Sequence, residues 1–486
     1  MMKLIKNLKN MKKKLLSYII APLLVIGSGC SDFGDINENP NASVNPQSSA
    51  LLTNALAAMG GSVAGGARFN AGLYCQYFSE TQYTESSLYS NDKWSWSGEM
   101  AGNIYDLQNI ININQNASYV GVARILKAYR FSILTDQFGD IPYFQALQGN
   151  PQPDIDAQED VYNDLFKELK EGAAQIDDNN FIQGDIMFNS DFSKWRKFAN
   201  SLRLILALRV SEVDAVLGEA QFDDVINNLG TNGGIFSANS DNAVLDFPGG
   251  TYKNTWFGIG ADQGISDVMA GELNSTNDRR KFAYGKPNAG NTLVGVPYGL
   301  VREDAIAFTA ANTDWSLILN DQFRQEGSEF FILSYADVLL ARAEGANIGW
   351  SGAVADAEGF YQDAIEASWQ QWGVYDATAY AAYIANPTID LTQTAADAQK
   401  IAEQRWLTFY PNGPQGWSEW RRTGFPLLTP TPNAVNASGE IPVRIIFPDA
   451  EYTLNGDKLQ IAKDRMGPDA GGLKDTDQVH VWWDVD

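Results

Sequence analysis

The sequence has 486 residues, 44% of them hydrophobic and 12% aromatic, with 35 basic against 59 acidic side chains and a formal net charge of −24. That apolar content suffices for a large core, and the length exceeds the usual single-domain size, so two closely packed lobes or two domains are expected. The acidic excess argues against nucleic acid as a partner, because affinity for phosphates comes chiefly from Lys and Arg.

The chain opens on a basic leader with Lys12, Lys13 and Lys14, an apolar run over 15–26, the small residues Gly27, Ser28 and Gly29, and then Cys30. This is the layout of a lipoprotein signal peptide (1–29) with Cys30 as the lipidated residue, and Met11 offers a start closer to the run. The run is roughly a dozen residues, whereas a spanning helix needs about 20. No later stretch is expected to span either. Three residues before the cysteine stands Gly27 where the usual lipoprotein pattern has Leu, so a plain secretory signal is the competing assignment. Residues 30–48 read as a polar tether rich in Asn, Asp, Pro and Ser. Cleavage before Cys30 leaves 457 residues of net charge −30, since the leader holds six lysines and no acid. Lipidation of Cys30 leaves Cys75 without a disulfide partner, and Cys75 is expected as a small buried hydrophobe.

From Ala50 the pattern turns helical. Val122, Ile125, Leu126, Tyr129 and Ile133 form one stripe at the 3.6-residue period, ended by Gly139-Asp140-Ile141-Pro142. Similar periodicity predicts helices over 160–176, 194–210, 332–348, 357–372 and about 395–409. Large aromatic and small Ala positions alternate along them, as in tetratricopeptide packing, although no clean 34-residue period exists. The expected fold is mainly α, with helical scaffold at about 50–228 and 330–425. A loop-rich insertion with few short strands occupies about 229–329, and an irregular segment, 426–486, packs back on the body. Trp195, Trp350, Trp369, Trp372, Trp406, Trp417 and Trp420 lie in or beside helices and are read as structural, with Arg421 and Arg422 paired to carboxylates.

Several segments resemble the SusD/RagB family of nutrient-binding outer-membrane lipoproteins, in its SusD-like subgroup typical of Bacteroidetes. They are Asp32-Phe33-Gly34-Asp35-Ile36-Asn37 with Asn39-Pro40-Asn41, then Leu134-Thr135-Asp136-Gln137-Phe138-Gly139-Asp140-Ile141-Pro142-Tyr143, then Lys194-Trp195-Arg196-Lys197-Phe198 continuing to Arg203. Further on come Ser334-Tyr335-Ala336-Asp337 continuing to Glu344, Gly416-Trp417-Ser418-Glu419-Trp420-Arg421-Arg422, and Trp482-Trp483-Asp484. The resemblance implies a SusD-like fold of tetratricopeptide-like helix pairs (49–486), a glycan- or peptide-binding surface, and a SusC-like TonB-dependent transporter as partner. It implies an outer-membrane location facing the cell exterior, with the membrane reached through the N-terminal lipid alone. Delivery of a glycan to the transporter, with this protein as its lid, is the leading expectation. A peptide or other nutrient receptor, and a structural lid with little ligand binding of its own, are the alternatives.

Catalysis is not expected. The single histidine, His480, is six residues from the end, which leaves Ser-His-Asp and Cys-His mechanisms unsupported. Gly258-Ile259-Gly260-Ala261-Asp262-Gln263-Gly264 lacks the spacing of a phosphate loop. No pair among the 59 acids is marked for glycoside hydrolysis. No cofactor is implied; Asp154, Asp156, Glu159 and Asp160 could ligate structural calcium, but acids at a helix start are the preferred account.

Sugar recognition needs flat apolar platforms for C–H faces together with polar groups for hydroxyls. Two stretches supply both. The first is 82–96, with Tyr83, Tyr89, Asn91, Asp92, Trp94 and Trp96; on an extended segment Trp94 and Trp96 would project to one side as a single platform. The second is the insertion, with Tyr252, Trp256, Tyr284, Tyr298 and Trp315; the SusD-like resemblance implies a shallow arc of aromatic rings, which makes Trp256, Tyr298 and Trp315 the candidates for its opposite edge.

Overall fold

The computed structural model describes residues 47–90, 94–350 and 354–485. The signal peptide, the tether, the expected lipidation at Cys30, and the candidates Asn91 and Asp92 lie outside these residues. From Ser48 to the C-terminus the chain forms one unit. Its helices of eight residues or more are α1 (Ser48–Met59), α2 (Tyr105–Ile113), α3 (Ala117–Phe138), α4 (Gln158–Gln175), α5 (Phe192–Arg209), α6 (Ala215–Asn227), α7 (Asp267–Ser275) and α8 (Arg302–Ala311). They continue with α9 (Tyr335–Asn347), α10 (Ala357–Gln371), α11 (Ala377–Ile384), α12 (Ala396–Phe409), α13 (Gly413–Thr423) and α14 (Gly456–Met466).

Four helix hairpins make the scaffold, α3 with α4, α5 with α6, α9 with α10 and α12 with α13. Local chemistry sets their ends. The Asn116 side chain accepts from the Tyr119 N–H to start α3, and Gly139, at φ +79°, ends it. Ser334 and Asp337 form a capping box at α9. Small residues bring the pairs together: a Cβ on Gly121 of α3 would meet the Gly172 carbonyl of α4 at 2.6 Å, so this crossing requires glycine.

The run Ser48–Tyr74 has the length and hydropathy of a membrane span, which corrects the expectation that no later stretch is long enough. Its apolar side chains Leu52, Leu56, Met59 and Val63 are nevertheless buried in the core.

Strands are few. β1 (Phe78–Glu80) pairs antiparallel with β3 (Gln263–Ile265), and β2 (Ala243–Leu245) pairs antiparallel with β4 (Phe330–Leu333), each tying the insertion to the helical body. The C-terminal segment is more regular than expected, since it includes α14, and it packs inward through Ile441, Phe447, Val481 and Trp483.

Buried polar groups stitch the pairs together. The Trp483 indole donates to Asp136 Oδ1 at 2.9 Å, and Asp136 also forms a buried ion pair with Arg209 at 2.8 Å. Arg422 bridges Glu344 and Glu419, both at 2.6 Å, and Arg405 joins Glu419 at 2.8 Å. These two guanidinium groups hold the Glu419 carboxyl down at about 2 despite burial. Arg421 departs from the expected carboxylate pairing: it donates to the carbonyls of Val443 and Asp136 and stacks on Trp417 at 3.8 Å. Cys75 is a buried free thiol, and of the seven scaffold tryptophans six are buried and Trp420 is half-buried.

Candidate functional site

Residues 81–90 follow β1, and their course is fixed from inside. The Glu80 carboxylate accepts from the Ser87 N–H at 2.8 Å, and desolvation pushes its pKa up to about 7. Tyr89, at φ +61°, turns its ring inward against Tyr74, with its hydroxyl accepting from the Thr431 N–H at 3.3 Å. Tyr89 is therefore a core anchor and offers no face to a ligand. Trp96 is another: it is 3% exposed, packs edge-on against Phe138 and Phe447, and donates its indole N–H to Glu451 at 3.2 Å.

Trp94 differs, at 39% exposed. The expected single platform of Trp94 and Trp96 is therefore corrected, because Trp96 enters the first turn of a helix at 97–104 and points to the core. Instead Trp94 lies beside Phe69, with ring centroids 6.0 Å apart at 48°. Both rings line a pocket of about 60 Å³ whose floor is one face of α3, made by Arg130, Ile133, Leu134, Gln137 and Phe138. Arg130 is 2% exposed; its Nη2 pairs with the Glu99 carboxylate and donates to Ser62 Oγ at 3.0 Å.

A larger groove of about 740 Å³ opens elsewhere, between α1, residues 186–187 and residues 245–255. Tyr252, 63% exposed, stands on it with Phe247, Met187 and Ile186, and Asn54, Thr53, Asp246 and Lys253 supply polar groups. Its volume and mixed lining are those of a small-molecule site.

The other candidates from the insertion are mostly enclosed. Trp256, 1% exposed, packs against Phe78 at 5.6 Å, and Tyr284 stacks on Tyr410 at 4.3 Å while donating to the Leu407 carbonyl at 2.9 Å. Both are corrected from ligand candidates to anchors that fasten the insertion to the helical body. Tyr298 is half-buried with its hydroxyl enclosed, and Trp315 is half-buried with its ring against Gly264 of β3. Tyr83 is 63% exposed, with the Arg302 guanidinium 5.8 Å from its ring. The exposed rings thus have three separate surroundings rather than one arc.

Sequence reasoning named Tyr252 on the groove but missed Phe69, Arg130 and the other groove residues. A charged residue on the inward face of α3 was the available signal for Arg130.

Among the described residues no cluster of three or more His, Cys, Asp or Glu is arranged to hold a metal. Asp154 is paired with Lys458, Asp156 accepts the N–H groups of Tyr143 and Phe144 at 3.0 and 2.9 Å, and Glu159 and Asp160 lie in the first turn of α4.

Helix hairpins carrying loops with exposed aromatic rings at concave sites define a scaffold of the tetratricopeptide-like, mainly α class. The chain belongs to the SusD-like family, described as "Starch-binding associating with outer membrane", whose pattern it matches over residues 40–448. Among solved structures it is similar to a chitin-binding protein, at 26% identity and TM-score 0.79 over 90% of this chain and all of that one. It is likewise similar to a SusD homolog from Bacteroides fragilis, at 23% identity and TM-score 0.77 over 90% and 99% of the two chains. A chitin-binding SusD homolog from Flavobacterium johnsoniae aligns at 24% identity and TM-score 0.76 over 90% and 98%. No curated protein matches significantly.

Proposed function

We propose that this protein is a cell-surface lipoprotein that binds oligo- or polysaccharide, delivers it to a SusC-like TonB-dependent transporter and acts as that transporter's lid. The observation that carries the binding role is the exposure of aromatic faces, Trp94 and Tyr252, at concave sites that also present hydrogen-bonding groups. A sugar ring stacks its C–H face on such a platform while its hydroxyls find the polar groups at the edge. The family's association with the outer membrane and its starch-binding description support the location and ligand class. The likeness to a chitin-binding protein supports a glycan over a peptide. The role is binding rather than catalysis.

Affinity electrophoresis across a panel of glycans tests this reading, with Trp94→Ala and Tyr252→Ala run beside the wild type. Retention by at least one glycan, lost in one of the variants, is expected. No retention by any glycan, with binding of a peptide instead, would overturn it in favour of a peptide receptor. The anchor is tested separately: Cys30→Ser in a Bacteroidetes host is expected to release the protein from the outer membrane, and unchanged retention refutes lipidation.

A further inference from the structure

We propose that the Trp94 pocket and the Tyr252 groove are the two ends of one cleft, joined across Gly61 and Gly66, that binds a single extended glycan chain. This rests on the glycan-binding reading and deepens it from a ligand class to a minimum chain length. The two cavities share a wall. Between α1 and Phe69 the chain runs as a π-helix, Gly60–Gly65, and a 3₁₀ turn, Gly66–Arg68. Gly60 and Gly61 line the groove, whereas Ser62, Val63 and Gly66 line the pocket. Backbone bonds in a π-helix link residues five apart and so stack them on one side. The Gly66 N–H donates to the Gly61 carbonyl in this way. The two glycines are therefore neighbours along the helix, one turn or about 5 Å apart, a span that one sugar residue of a glycan covers.

What lies over that turn decides whether the cavities communicate. A Cβ on Gly61 or on Gly66 meets nothing within 4 Å, so both look into open space. Backbone conformation does not require glycine at either position: Gly66 is right-handed helical at φ −66°, and Gly61 has no left-handed φ. Close packing does not require it either, in contrast to Gly60, whose Cβ would meet the Phe247 ring of the groove wall at 2.8 Å. The pair thus leaves a floor free of side chains between the two sites. The rings at its ends indicate the ligand. Trp94 and Tyr252 keep exposed faces, and Asn54, Asp246 and Lys253 at the groove supply groups for hydroxyls. A chain stacked on one ring reaches the other intramolecularly, so two weak contacts reinforce each other. A disaccharide occupies one end only and gains nothing from the second.

Isothermal titration of the full soluble chain with maltose, maltohexaose, chitobiose and chitohexaose tests this, together with the disaccharide and hexasaccharide of any other glycan retained in the panel. For the glycan that binds, the wild type is expected to hold the hexasaccharide at least tenfold more tightly than the disaccharide, with one hexasaccharide per protein. Gly61→Leu and Gly66→Leu raise a side chain on the floor, where the fold has room for it. Each is expected to remove the gain with length while the disaccharide still binds. Trp94→Ala and Tyr252→Ala are each expected to remove it too, which decides the matter if the glycine variants melt early. Equal affinity for the two lengths, two hexasaccharides per protein, or a gain that survives in a folded glycine variant or in either ring variant overturns the joined cleft while leaving glycan binding intact. Binding of no oligomer, with no retention across the panel, overturns both.

Discussion

Aromatic side chains in the helical hairpins and in the loops have different patterns in sequence but often the same fate in the structure. In the hairpins, Trp195, Trp369 and Trp406 each lie on the apolar stripe of their own helix and are fully buried. In the loops, Tyr89, Trp96, Trp256 and Tyr284 lack that spacing and are buried nonetheless, whereas Tyr83, Trp94 and Tyr252 stay exposed. A long polar loop has no core of its own, so it must be fastened to the scaffold, and a large ring fastens it with the fewest residues. Polarity of the surrounding sequence therefore does not by itself predict exposure of an aromatic residue.

The largest effect is expected on the scaffold side. Trp369 is fully buried, donates to Asp278 at 3.1 Å and lies 5.1 Å from the Tyr383 ring, so Trp369→Ala should destabilise by about 3–5 kcal/mol. Chemical denaturation measures this, and a midpoint equal to wild type would mean that the face is not core.

The loop side is broken open by two tryptophans only two residues apart. Trp96→Ala should cost about 3 kcal/mol as an anchor between Phe138 and Phe447, approaching a scaffold tryptophan. Trp94→Ala, at a half-exposed site, should stay within about 1 kcal/mol of wild type while glycan retention falls. Equal melting temperatures for the two variants would refute the division between anchor and platform.

A pH titration sharpens the comparison at the loop's root. Glu80 has its pKa raised to about 7 in the folded chain, so folding favours its protonated form. The associated stability is fully present below the unfolded carboxyl's pKa, is lost as pH rises toward 7, and is flat above it. The change is at most about 3 kcal/mol, at roughly 1.4 kcal/mol for each pH unit between the unfolded and folded pKa. Glu80→Gln should flatten this part of the profile and be the more stable form at pH 8. An unchanged profile between pH 4.5 and 7 would show that another group dominates.

Periodicity alone marked the main hairpin helices to within a few residues at most ends: the helix predicted over 194–210 is Phe192–Arg209, and the one over 357–372 is Ala357–Gln371. Such helices are determined locally, because the stripe, the caps and the stop signals all lie within one turn of the residues they govern. The family was legible for a related reason, as its motifs encode that scaffold. Helix α6 was missed because its short apolar stripe, Phe222 and Val225, is completed by partners distant in sequence, with the Phe222 ring 5.8 Å from Trp350 and against Gly345 of α9. The sites depended on pairings remote in sequence. Trp96 is buried because Glu451 and Phe447 arrive from the other end of the chain, and Arg130 lines a pocket because Phe69 and Trp94 close over α3. Sequence thus determined the scaffold through short-range periodicity. Only tertiary structure decided which aromatic rings anchor and which face solvent, since burial depends on partners that no local pattern records.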